Sequence, residues 1–140
     1  MKKIIIIFTI FFTIFLSPLC FASCNLDLSR WEWVTSNDDF GVFFDTQTLK
    51  YSNNYANVWE CFYYPSSCEE HPNVGEHYHY CLYSINYANN TSCFRSYIDR
   101  DSRGNVLGSG SFSFVEYRPI TPDSIGEGIA IAVRKRLTRR

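Results

Sequence analysis

Several catalytic signatures are missing from this 140-residue chain. It contains no Gly-x-Ser-x-Gly elbow and no His-Glu-x-x-His helix, which removes the commonest marks of serine hydrolases and zinc peptidases. It has no Cys-x-x-Cys motif, so disulfide-exchange chemistry has no obvious carrier. The adjacent carboxylates Asp38-Asp39 and Glu69-Glu70 fall in turn segments and read as solvated surface rather than an acid/base couple. Cations are scarce in the body of the chain. From Cys24 to Val133 there are six Lys/Arg against fourteen Asp/Glu, a net charge of 6 − 14 = −8. Phosphate contacts need a basic face, so this balance excludes nucleic acid as the main partner. There is no internal repeat. These absences predict a protein that is not an enzyme and needs no cofactor.

The longest apolar run, Ile4 to Leu16, follows Met1-Lys2-Lys3 and is broken by Ser17-Pro18. At about 13 residues it is short of the roughly 20 a spanning helix needs, and it matches the charged and apolar regions of a secretory signal peptide. Small residues at Cys20 and Ala22 suit cleavage after Ala22, giving a signal peptide over 1–22 and a single domain over 23–140. An uncleaved N-terminal anchor is the alternative. A second cut is also open, because Phe21-Ala22-Ser23-Cys24 is similar to a lipoprotein box, with Phe21 where Leu, Val or Ile is usual. Cys24 is therefore the lipidation candidate, and lipidation would tether a domain that is otherwise freely secreted. Either way the domain acts outside the cytoplasm, secreted or held at the cell envelope, and touches membrane only through such an anchor.

Six cysteines occur: Cys20, Cys24, Cys61, Cys68, Cys81 and Cys93. Cys20 leaves with the signal peptide. Lipidation of Cys24 leaves four, enough for two disulfides, and without it five remain and at least one is unpaired. Exported thiols usually oxidise, so Cys61, Cys68, Cys81 and Cys93 are the disulfide candidates, although an anaerobic host could leave them reduced. A hairpin across the loop from Pro65 to Gly75 places Cys61 opposite Cys81, and a turn at Asn89-Asn90 places Cys93 opposite Asn86. A cysteine nucleophile would need a free, activated thiolate, and these thiols are better explained as cross-links.

The rest of the chain reads as strands separated by turn clusters. Arg30 to Thr35 alternates with Trp31 and Trp33 on one face, and Gly41 to Asp45 follows the turn Ser36-Asn37-Asp38-Asp39. Tyr55 to Tyr64, His77 to Tyr87, Thr91 to Asp99 and Val106 to Tyr117 continue the pattern. Short turns make such strands antiparallel. Near the C-terminus, Thr121-Pro122 suits a helix start, with Ser124 and Glu127 as a competing capping box. Ile125, Ile129, Ala132, Val133 and Leu137 form one stripe able to cover a sheet face. The basic segment 134–140 sits at the negative end of the helix dipole. Gly126 and Gly128 weaken the helix by about 1 kcal/mol each and call for close packing or a partner. The expected fold is α+β, an antiparallel sheet of about five to six strands with a C-terminal helix packed on one face.

His77, His79 and Cys81 share one strand face, with His71 and Cys68 just before them. Imidazole and thiolate are zinc or copper ligands, so His77, His79 and Cys81 are the metal candidates. The spacing matches no established zinc pattern, however, and half-exposed strand histidines beside a disulfide are the plainer reading. Aromatic residues make up 18% of the chain, with Tyr55, Tyr63, Tyr64, Tyr78, Tyr80, Tyr83 and Tyr87 in its middle. Most would fill the core. Since tyrosines occur at both strand parities, some must face outwards, where tyrosine is favoured at protein interfaces. Asn89-Asn90-Thr91-Ser92 holds two overlapping glycosylation sequons, relevant only in a eukaryotic secretory pathway.

Three stretches occur in an order that resembles the bacterial surface-adhesin protein E-like family of small exported proteins. They are Trp31-Glu32-Trp33-Val34 with Phe43-Phe44-Asp45 and Leu49-Lys50; Gly104-Asn105-Val106-Leu107; and Pro119 to Glu127. The likeness covers nearly all of the mature chain, and its last stretch is the most specific. The resemblance implies an antiparallel sheet with a helix packed on it. It also implies a surface protein whose partners are host matrix or plasma proteins such as laminin, vitronectin and plasminogen. Relatives of that kind often carry one cysteine after the asparagine matching Asn86 and another near the helix end. Here Tyr87 stands in the first place, so that bridge is absent. An envelope lipoprotein with a structural or assembly role is the alternative reading, and a His/Cys metal-binding domain the third.

Overall fold

The computed structural model describes residues 24–66 and 73–139; the expected signal peptide, Cys68, His71 and Arg140 lie outside the described residues. Eight strands form one antiparallel sheet. They are β1 (Trp31–Ser36), β2 (Gly41–Asp45), β3 (Lys50–Ser52), β4 (Tyr55–Tyr64), β5 (His77–Asn86), β6 (Thr91–Asp101), β7 (Val106–Ser111) and β8 (Arg118–Pro119). The main order is β1-β2-β4-β5-β6-β7, with β3 paired to β4 and β8 to β6. One helix, α1 (Ile125–Leu137), follows. The expected α+β architecture is therefore the observed one, and the two strands beyond six are the short β3 and β8.

Local chemistry sets the turns. Asn53 and Asn54 both take positive φ (50° and 66°) between β3 and β4, the conformation a tight two-residue hairpin needs and asparagine tolerates. The strand expected over Val106 to Tyr117 stops at Ser111, because a bulge in β6 alters its free edge. Tyr83 pairs with Phe94 but Leu82 with Ser96, leaving Arg95 as the extra residue. Phe112 N donates to Arg95 O at 2.9 Å. Beyond that point β6 pairs with β8 instead, Ser92 with Arg118 and Thr91 with Pro119. A bulge bends its strand and ends regular pairing.

The helix starts later than its first signal suggests. Its N-cap is Ser124, not Thr121: Ser124 Oγ accepts from Glu127 N at 3.2 Å and donates to Thr121 O at 2.6 Å. Glu127 completes the reciprocal half one residue early, accepting from Asp123 N at 2.8 Å. Asp123 has φ of 57°, so the turn rather than the helix occupies Pro122 and Asp123. From Ser124 on, Ile129, Ala130 and Val133 are buried against Val42, Phe44, Ala56, Val58, Tyr83 and Ile85. Gly126 is explained by close approach: a Cβ there would sit 2.8 Å from Tyr83 Oη, which is itself tied to Ser92 Oγ at 2.7 Å.

Tyr87 joins the end of β5 to the helix. Its hydroxyl donates to Ala130 O at 2.7 Å, and the Arg134 guanidinium lies over its ring at 4.4 Å. Where the family resemblance would lead one to expect a cysteine, a hydrogen bond and a cation–π contact hold strand and helix together.

The second face carries a smaller core of Trp31, Phe43, Cys61, Tyr63 and Tyr78, covered by Cys24 and Leu26 from the N-terminal segment. Tyrosines therefore serve both cores, Tyr83 under the helix and Tyr63 and Tyr78 on the other face, while Tyr55 is exposed. Three acidic residues are buried, Asp45, Glu60 and Asp99. Glu60, paired between Phe44 and Cys81, is fully buried, and neither of its carboxyl oxygens has a hydrogen-bond partner among the described residues. Burial pushes its carboxyl up to about 8, so it is a neutral acid near neutral pH.

Two outcomes follow from these contacts. Between the ordinary glutamate value and about 8, the folded chain keeps a proton on Glu60 that the unfolded chain releases. Stability should therefore fall as pH rises through that window, by a total on the order of 5 kcal/mol. Glu60→Gln should remove most of this slope and raise the melting temperature at about pH 8 while changing little at about pH 5; parallel curves for the two proteins would refute the assignment. Tyr87→Phe should lower stability by about 1 kcal/mol in urea unfolding, the usual worth of one such hydrogen bond.

Candidate functional site

The sheet has one face under the helix and one largely open, and each holds a candidate site. On the open face, two adjoining clefts of about 340 and 600 Å³ share Thr48 and Trp59 and so form one groove. Trp59 stands in its middle. Trp31, Tyr80 and Ile98 line one end, and Leu82 the other. The Trp31 and Tyr80 rings meet at 5.5 Å in a tilted pair, so this wall is rigid and aromatic.

Charge in the groove runs against the acidic body. Arg30 and Arg100 line one end and Lys50 and Arg95 the other, four of the six cations between Cys24 and Val133. Arg30 is neutralised by Asp45, donating from Nε at 3.0 Å and from an Nη at 2.5 Å. Burial alone would raise the Asp45 carboxyl, but the Arg30 guanidinium and the Gln47 N–H outweigh it and hold it below its ordinary value. Lys50, Arg95 and Arg100 form no ion pair among the described residues. Arg95 reaches this face because it is the extra residue of the β6 bulge. Sequence alternation alone gives no sign of that placement.

On the helix-bearing face, beyond the helix, lie the histidines and Cys81. His77 is buried, donates from Nδ1 to Gly75 O at 2.8 Å and stacks on Tyr64 at 4.7 Å. His79 stands between two partners. Its Nδ1 faces Asp99 Oδ1, on the directly opposed residue of β6, and its Nε2 lies 3.0 Å from Cys81 Sγ. Asp99 is the residue that sequence reading missed, because its pairing with His79 depends on the β5–β6 register. His79 and Cys81 line a cleft of about 320 Å³ with Phe62, Tyr64, Phe94, Tyr97 and Phe112.

The metal candidates His77, His79 and Cys81 share a face, but they do not converge. His77 is turned to Gly75, while His79 and Cys81 are directed at each other. Among the described residues no group of three or more His, Cys, Asp or Glu is placed to hold a metal ion. The lipidation candidate Cys24 is half-buried against the Trp31 and Tyr78 cluster. An acyl chain on its sulfur would require residues 24 to 26 to leave that cluster.

The disulfide expectation is overturned. Cys24, Cys61, Cys81 and Cys93 are all free thiols. The reason is register. Cys61 opposes Tyr80, not Cys81, and Cys81 opposes Glu60. A one-residue difference moves a side chain to the other face of a sheet, so Cys61 lies in the open-face core and Cys81 under the helix-bearing face. Cys93 opposes Ser84 rather than Asn86, on the face away from Cys81. Cys68 lies outside the described residues. Burial raises the thiols of Cys61 and Cys81, the latter to about 12.

No family model, no curated protein and no solved structure matches this chain. Its site must be read from its own geometry.

Protein denatured and alkylated without prior reduction should carry the alkyl group on Cys24, Cys61, Cys81 and Cys93 in a peptide map. A disulfide between any two of Cys61, Cys81 and Cys93, seen as a pair that labels only after reduction, would contradict the register described above.

Proposed function

We propose that this chain is an exported binding domain that holds an acidic segment of a protein partner in the open-face groove. The observation that carries the reading is the gathering of Lys50, Arg95 and Arg100, without carboxylate partners among the described residues, around Trp59, Trp31 and Tyr80. Tryptophan, tyrosine and arginine are the residues that most often dominate protein interfaces. An unpaired cationic rim selects for acidic partners.

The signal-peptide pattern over 1–22 supports export, with Cys24 as the point of tethering if the protein stays on the envelope. The stretches that resemble surface-adhesin protein E-like proteins support host matrix or plasma proteins as the partner class. Binding of this kind needs no cofactor and no chemistry at the groove.

The test is binding to immobilised laminin and vitronectin. Saturable binding that weakens as salt rises is expected. Trp59→Ala, or Arg95→Glu with Arg100→Glu, should reduce affinity by about 30-fold, the equivalent of a 2 kcal/mol hot spot. Absence of binding to any matrix or plasma protein would sink the adhesive part, and binding indifferent to these substitutions would move the site off the groove.

A further inference from the structure

Release of the thiols from cross-linking leaves one of them in a distinctive setting. Of the four described cysteines, Cys81 has an imidazole nitrogen at hydrogen-bond distance, His79 Nε2 at 3.0 Å. The tautomer follows from the partners. Asp99, as a carboxylate, can only accept, so Nδ1 carries the proton and Nε2 presents its lone pair to the Cys81 thiol. This is the order of groups in a nucleophile–base–orienter relay. Strand geometry builds it, since His79 and Cys81 are same-face neighbours on β5 and Asp99 is the cross-strand partner of His79. On β7 the residue opposite Asp99 is Gly108 and that opposite Tyr97 is Gly110. A Cβ on Gly110 would come within 2.7 Å of the Tyr97 ring, so that glycine leaves room for a side chain that flanks the relay.

The cleft above it is apolar. Besides His79 and Cys81, its walls are the rings of Phe62, Tyr64, Phe94, Tyr97 and Phe112. Cys81 is only 6% exposed, while the His79 side chain is 34% exposed, so solvent reaches the base more readily than the thiol. Such a pocket suits a hydrocarbon chain attached to a reactive carbonyl.

We propose that Cys81, His79 and Asp99 form a nucleophilic thiol site that accepts an apolar acyl group from a thioester or activated ester. It lies on the opposite face of the sheet from the groove and does not depend on the binding role. Cys81 Sγ attacks the carbonyl carbon and an S–C bond forms. The thiol proton passes to His79 Nε2. The bond from the carbonyl carbon to the leaving sulfur or oxygen breaks, and the proton on Nε2 is delivered to that leaving group. The products are S-acyl Cys81 and a free thiol or alcohol, with no change in oxidation state. Cys81 and His79 are the catalytic residues and Asp99 is a positioning residue, acting through the tautomer of His79. Burial above all keeps the Cys81 thiol protonated at rest. The base must therefore act during attack, and no preformed thiolate is available.

The experiment uses the folded mature domain and para-nitrophenyl octanoate, followed by nitrophenolate release and by peptide mapping of the acylated protein. In the unaltered protein one octanoyl group should appear on Cys81 ahead of Cys24, Cys61 and Cys93, and octanoate should react faster than the acetate ester. His79→Ala should slow acylation by about 100-fold, the lower end of what a general base contributes, and added imidazole should restore part of the rate. Asp99→Asn should slow it too, with nitrogen chemical shifts showing that His79 no longer holds its proton on Nδ1. Acyl groups spread over the other cysteines in the unaltered protein, a dominant label on Cys24 or Cys93, or His79→Ala reacting at the unaltered rate would each overturn the proposal. The first of these readings needs no variant to fold.

Discussion

Ten consecutive residues of β4 pair with ten of β5, from Tyr55 opposite Asn86 to Tyr64 opposite His77. This register governs most of what is chemically distinctive about the molecule. It sends Val58 and Tyr83 under the helix together, and it sends Tyr63 and Tyr78 together to the other core. It also separates Cys61 from Cys81 by the thickness of the sheet. Side-chain direction has a period of two along a strand, so no intermediate arrangement exists. A slip of one position would bring the cysteines onto one face while expelling both aromatic cores.

The same register buries Glu60 between Phe44 and Cys81. A buried carboxyl without partners is unfavourable as an acid and more so as an anion, so Glu60 weakens the fold it sits in. Elsewhere the fold is well tied. Tyr87 bonds the helix backbone, and the Tyr83 hydroxyl fills the space that Gly126 leaves open. The helix shields only part of its face, and the N-terminal segment only part of the other. Both candidate sites lie where that coverage ends.

Freedom of the thiols changes how the histidines are read. With Cys81 cross-linked, His79 would be a half-exposed strand residue beside a disulfide. With Cys81 reduced, its sulfur and the Asp99 carboxylate take the two nitrogens of one ring. Tyr87 makes a parallel case: a hydroxyl and a ring face replace a covalent bridge at the junction of sheet and helix, leaving that junction independent of redox state.

Much of the fold was legible in the sequence. The bounds of β2 and β4 match the runs Gly41 to Asp45 and Tyr55 to Tyr64, set off by turn residues, and the helix stripe from Ile125 to Leu137 matches α1, because turn chemistry and apolar spacing are written directly in the residues. The capping choice between Thr121 and Ser124 was visible but not decided, since it depends on whether Pro122 and Asp123 form a turn. Function was less legible. His79 and Cys81 could be placed on one face from their spacing, yet Asp99 lies 20 residues beyond His79 and meets it only through strand pairing. Arg95 enters the groove by a bulge that alternation does not announce. What the sequence by itself determined is local: which segments are extended, where they turn, and where a helix can cover a sheet. Tertiary structure alone decided which residues oppose one another across strands, and hence that the described cysteines are free, that Glu60 is buried, and that His79 has two partners. The physical reason is that hydrophobic periodicity records which face a residue shows, whereas cross-strand register is set by the whole sheet closing on its cores.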